Sequence, residues 1–294
     1  MSAKPIPGTL AVRRVLDDIL MQPRALLILR LTALLLLLHG ATRWTLDVPL
    51  RIACGAMLLS PVLLTTRLVW LGVTGVLIAG NLLDWAYIDN HKYLLVYWCA
   101  ACTLAVSASD PDSVLSWNGR ILLGLVFSLA VLWKLLAGEY LNGEFLHLTF
   151  LLDGRLETPV RWLGDLDPSA LSLNRLLKTA LSSVPHPEGF VLLASNTRVS
   201  SVALLASYWT LLIETTLAVV FLAPGLSRRS RLVHPLLMAF VATTYFLLPV
   251  TGFAFALVVL ALSCCPTDNR RIRIAYLGLL VAIQLTRIPW QGLL

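Results

Sequence analysis

Four side chains sit in or beside long apolar runs where an ionisable group is out of place: His91, Lys134, Glu214 and His234. In an apolar setting an ionised group costs roughly 2.5–3.5 kcal/mol on membrane-insertion scales. Each is therefore expected to pair or to act. Lys134, within Leu132-Trp133-Lys134-Leu135, has two readings. Its four-carbon stem can carry the ammonium out to an aqueous interface. Alternatively, burial favours the neutral amine, and a neutral amine near pH 7 is a general base. Glu214, near the middle of Ser207-to-Leu222, either pairs with Arg30, Lys134 or a hydroxyl, or carries protons. His234 follows an arginine cluster and reads either as an interfacial histidine or as a second site group. Arg30 and His39, in the first apolar run, are read only as pairing groups.

A further polar stretch runs from Asp84 to Lys92 and includes Asn90, His91 and, just beyond, Tyr93. If the preceding helix continues, Asn81, Asp84, Tyr87 and His91 recur every three or four residues and form one polar stripe. The plainer reading is an interfacial loop with Trp85 and Tyr87 at headgroup level. Cys99 and Cys102 have redox-motif spacing, but they lie inside an apolar run and are read as small buried hydrophobes, as are Cys264 and Cys265. The sequence shows no metal-ligand spacing, phosphate loop or nucleophile elbow.

The elements that must position these groups are set by composition. Hydrophobic residues make up 58% of the chain and charged residues 13%, too little charge to clothe a soluble domain of this size. The apolar runs are long and do not alternate, which selects helices over a β-barrel. At roughly 20 residues per crossing, the candidate spans are 25–43, 50–65, 68–86, 93–109, 119–138, 201–223, 232–248, 251–265 and 272–290. The expected fold is all-α: a polytopic integral membrane helical bundle of about nine transmembrane helices. Pro61 is expected to kink the second span. The net charge of +7 is spread in short clusters between apolar runs, which reads as a topology signal and gives no indication of nucleic-acid binding.

With residues 1–24 cytoplasmic, Arg67, Arg120, Arg228-Arg229-Ser230-Arg231 and Arg270-Arg271-Ile272-Arg273 all fall inside. This orientation puts His91 and Lys134 on the same side at similar depth. No cleaved signal is read at the start; the first apolar run would be an uncleaved anchor in the cell (inner) membrane. Residues 25–294 read as a single transmembrane domain. Residues 139–200 would form one long extracytoplasmic loop. Within it the run after Pro168 has helical apolar spacing, with Ser169 as cap, and reads as an amphipathic helix on the membrane surface.

Several short motifs, in order, resemble the vitamin K-dependent γ-glutamyl carboxylase and its bacterial relatives, which share the horizontally transferred transmembrane (HTTM) domain. Asp89-Asn90-His91-Lys92-Tyr93-Leu94 is similar to that family's asparagine-histidine-x-tyrosine-leucine motif. Trp133-Lys134-Leu135 followed by Glu139-Tyr140-Leu141-Asn142-Gly143 resembles its lysine-leucine-x-x-x-x-tryptophan-x-x-glycine segment, with Tyr140 in place of tryptophan. Ile213-Glu214-Thr215, then His234, resembles its glutamate-turn-histidine segment, and the stretch from Pro23 to Arg30 resembles its first span.

The resemblance implies Lys134 as the base that deprotonates a reduced quinone (vitamin K hydroquinone or menaquinol) and His91 as a group that stabilises or positions reactants. Asn90, Tyr93, Tyr140, Gly143, Glu214 and His234 would line the quinol site. No metal is implied. The carboxylase also has a large lumenal region that binds protein substrates. Here a single further helix follows Cys264-Cys265, so the extracytoplasmic substrate is left open between a protein and a lipid-soluble molecule. Two other classes stay open at this stage: a transporter using Glu214 and His234, and a non-catalytic membrane scaffold whose long loop meets a partner protein.

Overall fold

The nine apolar runs each become helix, but mostly shorter helix than a bilayer crossing asks for. The structure is a computed structural model that describes residues 18, 21–40, 42–86, 88–183, 191–223, 232–245, 250–266, 269–286 and 288. Among them the chain is all-α, with no strand. In chain order the helices are α1 (Arg24–Leu38), α2 (Trp44–Leu59), α3 (Pro61–Leu64), α4 (Arg67–Leu83), α5 (Asn90–Ala105), α6 (Pro111–Leu136), α7 (Glu144–Leu152), α8 (Glu157–Gly164), α9 (Pro168–Ser182), α10 (Thr197–Leu222), α11 (Val233–Tyr245), α12 (Thr251–Cys264) and α13 (Arg270–Leu285). Of these, α6 and α10 are long and apolar enough to cross a membrane, at 26 residues each. The arginine cluster at 228–231, Tyr87 and the N-terminal basic residues of the orientation argument lie outside the described residues.

The chain divides into two compact units: Met1–Leu123 with Thr251–Leu294, and Gly124–Val250. In the first, α12 is the central element. Every residue from Ala254 to Ser263 is buried, as expected of a helix that is apolar on all sides. Helices α1 and α13 pack against it. Arg24 staples the start of α1 to two other elements, donating to the Cys265 carbonyl at 2.7 Å and to the Asp112 carboxylate at 3.2 Å. Inside, the Trp98 indole donates to the Thr32 hydroxyl at 2.9 Å, and the Thr74 and Thr103 hydroxyls meet at 3.3 Å. Such bonds satisfy polar groups that have no water to turn to.

Two local points of the sequence reading are decided in this unit. Pro61 does not kink a continuous span; it separates two helices. The residue before a proline is pushed out of the helical region, and Ser60 is extended at φ −125°, ψ 108°. Its hydroxyl then caps α3 by accepting from the Leu63 N–H. Of the two alternatives for the stretch after α4, the continued helix with its polar stripe through Asn81, Asp84 and His91 is the one that does not form, because α4 ends at Leu83. Asp84 turns instead to Arg43, whose guanidinium pairs with its carboxylate. Asn81 is buried and without a hydrogen-bond partner among the described residues. The cysteines are free thiols; Cys54, Cys99, Cys102 and Cys265 are buried and Cys264 is half-buried.

In the second unit the latter half of α6 runs antiparallel to α10. Gly124 sits against Leu222, where a Cβ would come within 2.5 Å of the leucine side chain, and Lys134 meets Glu214. Small residues at such crossings let helices approach closely. Helix α11 joins through Phe127 and Phe240, whose rings meet edge-to-face at 5.0 Å. The stretch read as one long loop is three helices and a 3-10 turn with a core of its own: Leu151, Leu156, Val160, Leu171 and Val199. The cap of α9 is Asp167, not Ser169; its carboxylate accepts from the Ser169 N–H at 2.7 Å and from the Ser169 hydroxyl at 2.6 Å. The leucines of α9 do not share one side: Leu171 is buried, while Leu173 and Leu176 are exposed.

Candidate functional site

The second unit gathers five of the eight expected site residues, and three of them meet. Lys134 lies in the last turn of α6. Its side chain does not escape to an interface; the ammonium donates to the Glu214 carboxylate at 2.5 Å, with 17% of the lysine and 7% of the glutamate side chain exposed. The antiparallel pairing of α6 and α10 accounts for this meeting, since it brings together residues 80 positions apart in sequence. Tyr140 covers the pair, with its ring centroid 5.2 Å from the Lys134 ammonium. That is cation–π range. Burial pushes the Tyr140 phenol up to about 12, with Thr210 close by on α10. It therefore stays an O–H group at any ordinary pH.

The turn that delivers Tyr140 depends on Gly143. Its φ of 80° is left-handed, a region that costs an L-residue roughly 1–2 kcal/mol. A Cβ there would also lie 2.9 Å from the Leu204 Cα on α10. Gly143 thus acts by pressing the turn against α10, and it need not touch a ligand. Gly143→Ala is expected to cost about 2–4 kcal/mol through strain and overpacking together. Gly138→Ala is the comparison: φ is 67° but its Cβ would meet nothing, so only the backbone strain of about 1–2 kcal/mol applies. Thermal unfolding in detergent that ranks the two equally would show that the Leu204 contact is unimportant.

Three groups that the sequence reading missed complete the surroundings. Ser207, Thr210 and Glu214 follow one another at three- and four-residue spacing, so α10 presents them on one side. Ser207 is fully buried and its hydroxyl has no hydrogen-bond partner among the described residues. Buried hydroxyls are rarely left so. Tyr245, buried at the end of α11, lies within electrostatic reach of Glu214.

His234 stands apart from this cluster. It is the second residue of α11, and Tyr245 is the last, so the two ends are separated by roughly 16 Å of helix rise. Glu214 sits near the Tyr245 end, so a direct relay between Glu214 and His234 has no geometric support. Asn90, His91 and Tyr93 belong to the first unit, in the first turn of α5. Asn90 and Tyr93 are exposed, and the His91 ring stacks on Phe253 at 5.7 Å. The two residues left for pairing have partners: Arg30 donates to Gln22 at 2.6 Å, and the His39 ring meets the Gln284 amide at 3.3 Å.

Chemically, the second-unit cluster is a short amine–carboxylate contact with little water access, roofed by a phenol and flanked by a spare hydroxyl. It can hold one proton on either of two partners. No family model matches the chain, and neither curated proteins nor solved structures yield a match.

Proposed function

We propose that this chain is a multi-pass protein of the cell membrane, similar to the HTTM domain of the vitamin K-dependent carboxylase, and that Lys134 and Glu214 together deprotonate a lipid-soluble quinol. The observation that carries the reading is the buried Lys134–Glu214 contact beneath Tyr140. Burying an ion pair in apolar surroundings is rarely favourable for stability alone, and intramembrane charge most often marks function.

The membrane part of the reading rests on outward-facing apolar stripes. Leu125, Leu129, Leu132 and Leu136 are exposed along α6, and Leu205, Tyr208, Leu212 and Val219 along α10. Leu68, Leu71, Ile78 and Leu82 do the same along α4. Continuous exposed apolar surface of this extent is a liability in water and a requirement in lipid. The nine-span topology puts Arg67 and Arg120 in the cytoplasm and residues 139–200 outside. A single cysteine placed at exposed Trp162, in a background with the five native cysteines replaced, is expected to react with a membrane-impermeant maleimide in intact cells. A cysteine at Arg120 is expected to react only after lysis. The reverse pattern would overturn the orientation.

In the proposed chemistry Glu214 takes the shared proton, leaving Lys134 as a neutral amine. The amine then accepts the proton of a quinol hydroxyl. Tyr140 excludes water from the amine, its ring lying over the ammonium. The later reaction with oxygen is the quinol's own chemistry. No step of this chemistry calls on His91, which belongs to the first unit. Purified protein supplied with vitamin K hydroquinone or menaquinol and oxygen is expected to yield the quinone epoxide. Folded protein that yields none with either quinol would remove the quinol reading.

A further inference from the structure

The first unit holds a polar cavity of about 300 Å³ whose walls include His39, Gly40, Arg51, His91 and Gly252. Its basic groups are held in place by identifiable contacts. Asp47, one helical turn before Arg51 on α2, accepts from the Arg51 Nε at 2.6 Å. That bond leaves the Nη edge of the guanidinium for the cavity, where an arginine presents paired donors to an oxyanion. The His39 ring packs edge-on to Phe255 at 5.8 Å, and the His91 ring is stacked on Phe253.

Two glycines keep the space open. A Cβ at Gly40 would sit 3.2 Å from the Arg51 Nη2, and one at Gly252 would sit 3.3 Å from the His39 ring. Two helices also begin at this cavity. His91 is the second residue of α5 and Gly252 the second of α12, and Asp89 gives α5 no side-chain cap. Helix N-termini offer unpaired N–H groups and a positive dipole end. The acidic groups nearby are Asp47, which is paired to Arg51, and Asp89, which is exposed and precedes Lys92 by three residues. The Arg51 guanidinium carries only donors, which suits an anion and not a cation.

We infer that this cavity is an oxyanion-binding site, in which Arg51, His39 and His91 hold a phosphate or carboxylate group, either free in solution or carried on a lipid headgroup. The inference does not depend on the quinol reading, because the proton transfer uses Lys134 and Glu214 of the second unit and none of these three residues.

The test uses full-length protein labelled with ¹⁵N-histidine in a neutral detergent, titrated with inorganic phosphate. The His39 and His91 ring signals, assigned through His39→Gln and His91→Gln, are expected to shift saturably. Arg51→Gln is expected to weaken phosphate binding by at least about tenfold, the worth of a charge-assisted hydrogen bond or two. Arg51→Lys, which keeps a cation beside Asp47, guards against a mere folding defect and is expected to fall between. Lys134→Ala is expected to bind phosphate like the parent. In a parallel arm the protein is placed in phosphatidylcholine nanodiscs with and without phosphatidylglycerol. Arg51-dependent shifts only with phosphatidylglycerol would assign the site to a headgroup, and shifts with phosphate in detergent would assign it to a free anion. No saturable shift in either arm, or equal shifts with and without Arg51, overturns the inference.

Discussion

Lys134→Ala is expected to lower quinol turnover by about 10²- to 10⁴-fold, the usual worth of a positioned general base. The loss should fall on kcat, because the amine acts on the proton in flight and contributes little to holding the ring. Lys134→Arg is expected to be equally inactive, since a guanidinium pairs with Glu214 but does not give up its proton near neutral pH. This variant is the informative one: it keeps the charge and most of the bulk and removes only the ability to become neutral. Glu214→Gln keeps the hydrogen-bonding shape and removes the proton acceptor, so it should approach the same loss. Tyr140→Phe keeps the ring over Lys134 and removes the phenol close to Thr210. Its effect should be smaller, and of a size set by how much water enters. Epoxide formed by Lys134→Arg at the parent's rate would exclude Lys134 as the base, whatever the fate of the membrane reading.

The individual charged residues of this site were legible in the sequence, and Lys134 stood among the partners open to Glu214, but which partner it meets was not legible. Lys134 and Glu214 stand out because an apolar run makes any ionisable residue conspicuous. Nothing local says that they meet, because the contact is set by the antiparallel register of α6 and α10, which Gly124 and Leu222 fix about three turns away. Thr210 and Ser207 were passed over for a different reason. Hydroxyls in apolar helices commonly bond back to the carbonyl four residues earlier, as Thr210 does to Ala206, so they carry little signal. The spacing of Ser207, Thr210 and Glu214 at three and then four residues is the clue that was available.

The short helices within 139–200 are hidden in the sequence by their charges. Asp153 with Arg155 and Glu157 with Arg175 look like a solvated loop in sequence, yet they rim a small core to which Leu151, Leu156, Val160 and Leu171 each contribute a single side chain. Such isolated apolar positions on short helices give no sustained period to read. Helix ends were similarly opaque. The extension of α4 into Asp84 was a reasonable continuation of spacing, but a carboxylate at a helix C-terminus opposes the dipole, and Arg43 supplies a better partner.

The same ion pair makes a stability prediction that is independent of any substrate. Lys134→Ala leaves the Glu214 carboxylate 5% exposed as a residue and without its countercharge. Breaking a buried pair in this way typically costs about 3–5 kcal/mol. Glu214→Leu strands the lysine instead, but its long stem can reach for an interface, so the cost should be lower. Replacing both, Lys134→Met with Glu214→Leu, removes the two desolvation penalties together and fills the space with apolar groups of similar length. That double variant is expected to unfold at or above the parent's temperature in detergent, in line with buried pairs that become neutral or gain about 1–4 kcal/mol when replaced as a unit. The expected double-mutant cycle is therefore strongly non-additive, as for any two residues in direct contact. The double variant should also be devoid of quinol activity while remaining folded. This separates the two consequences of the contact: if it were retained for stability, the doubly apolar protein would melt early, whereas a contact retained for proton transfer predicts a robust and inert protein. Additive single and double effects would mean that Lys134 and Glu214 do not meet in the folded chain, and the site would lose its central pair.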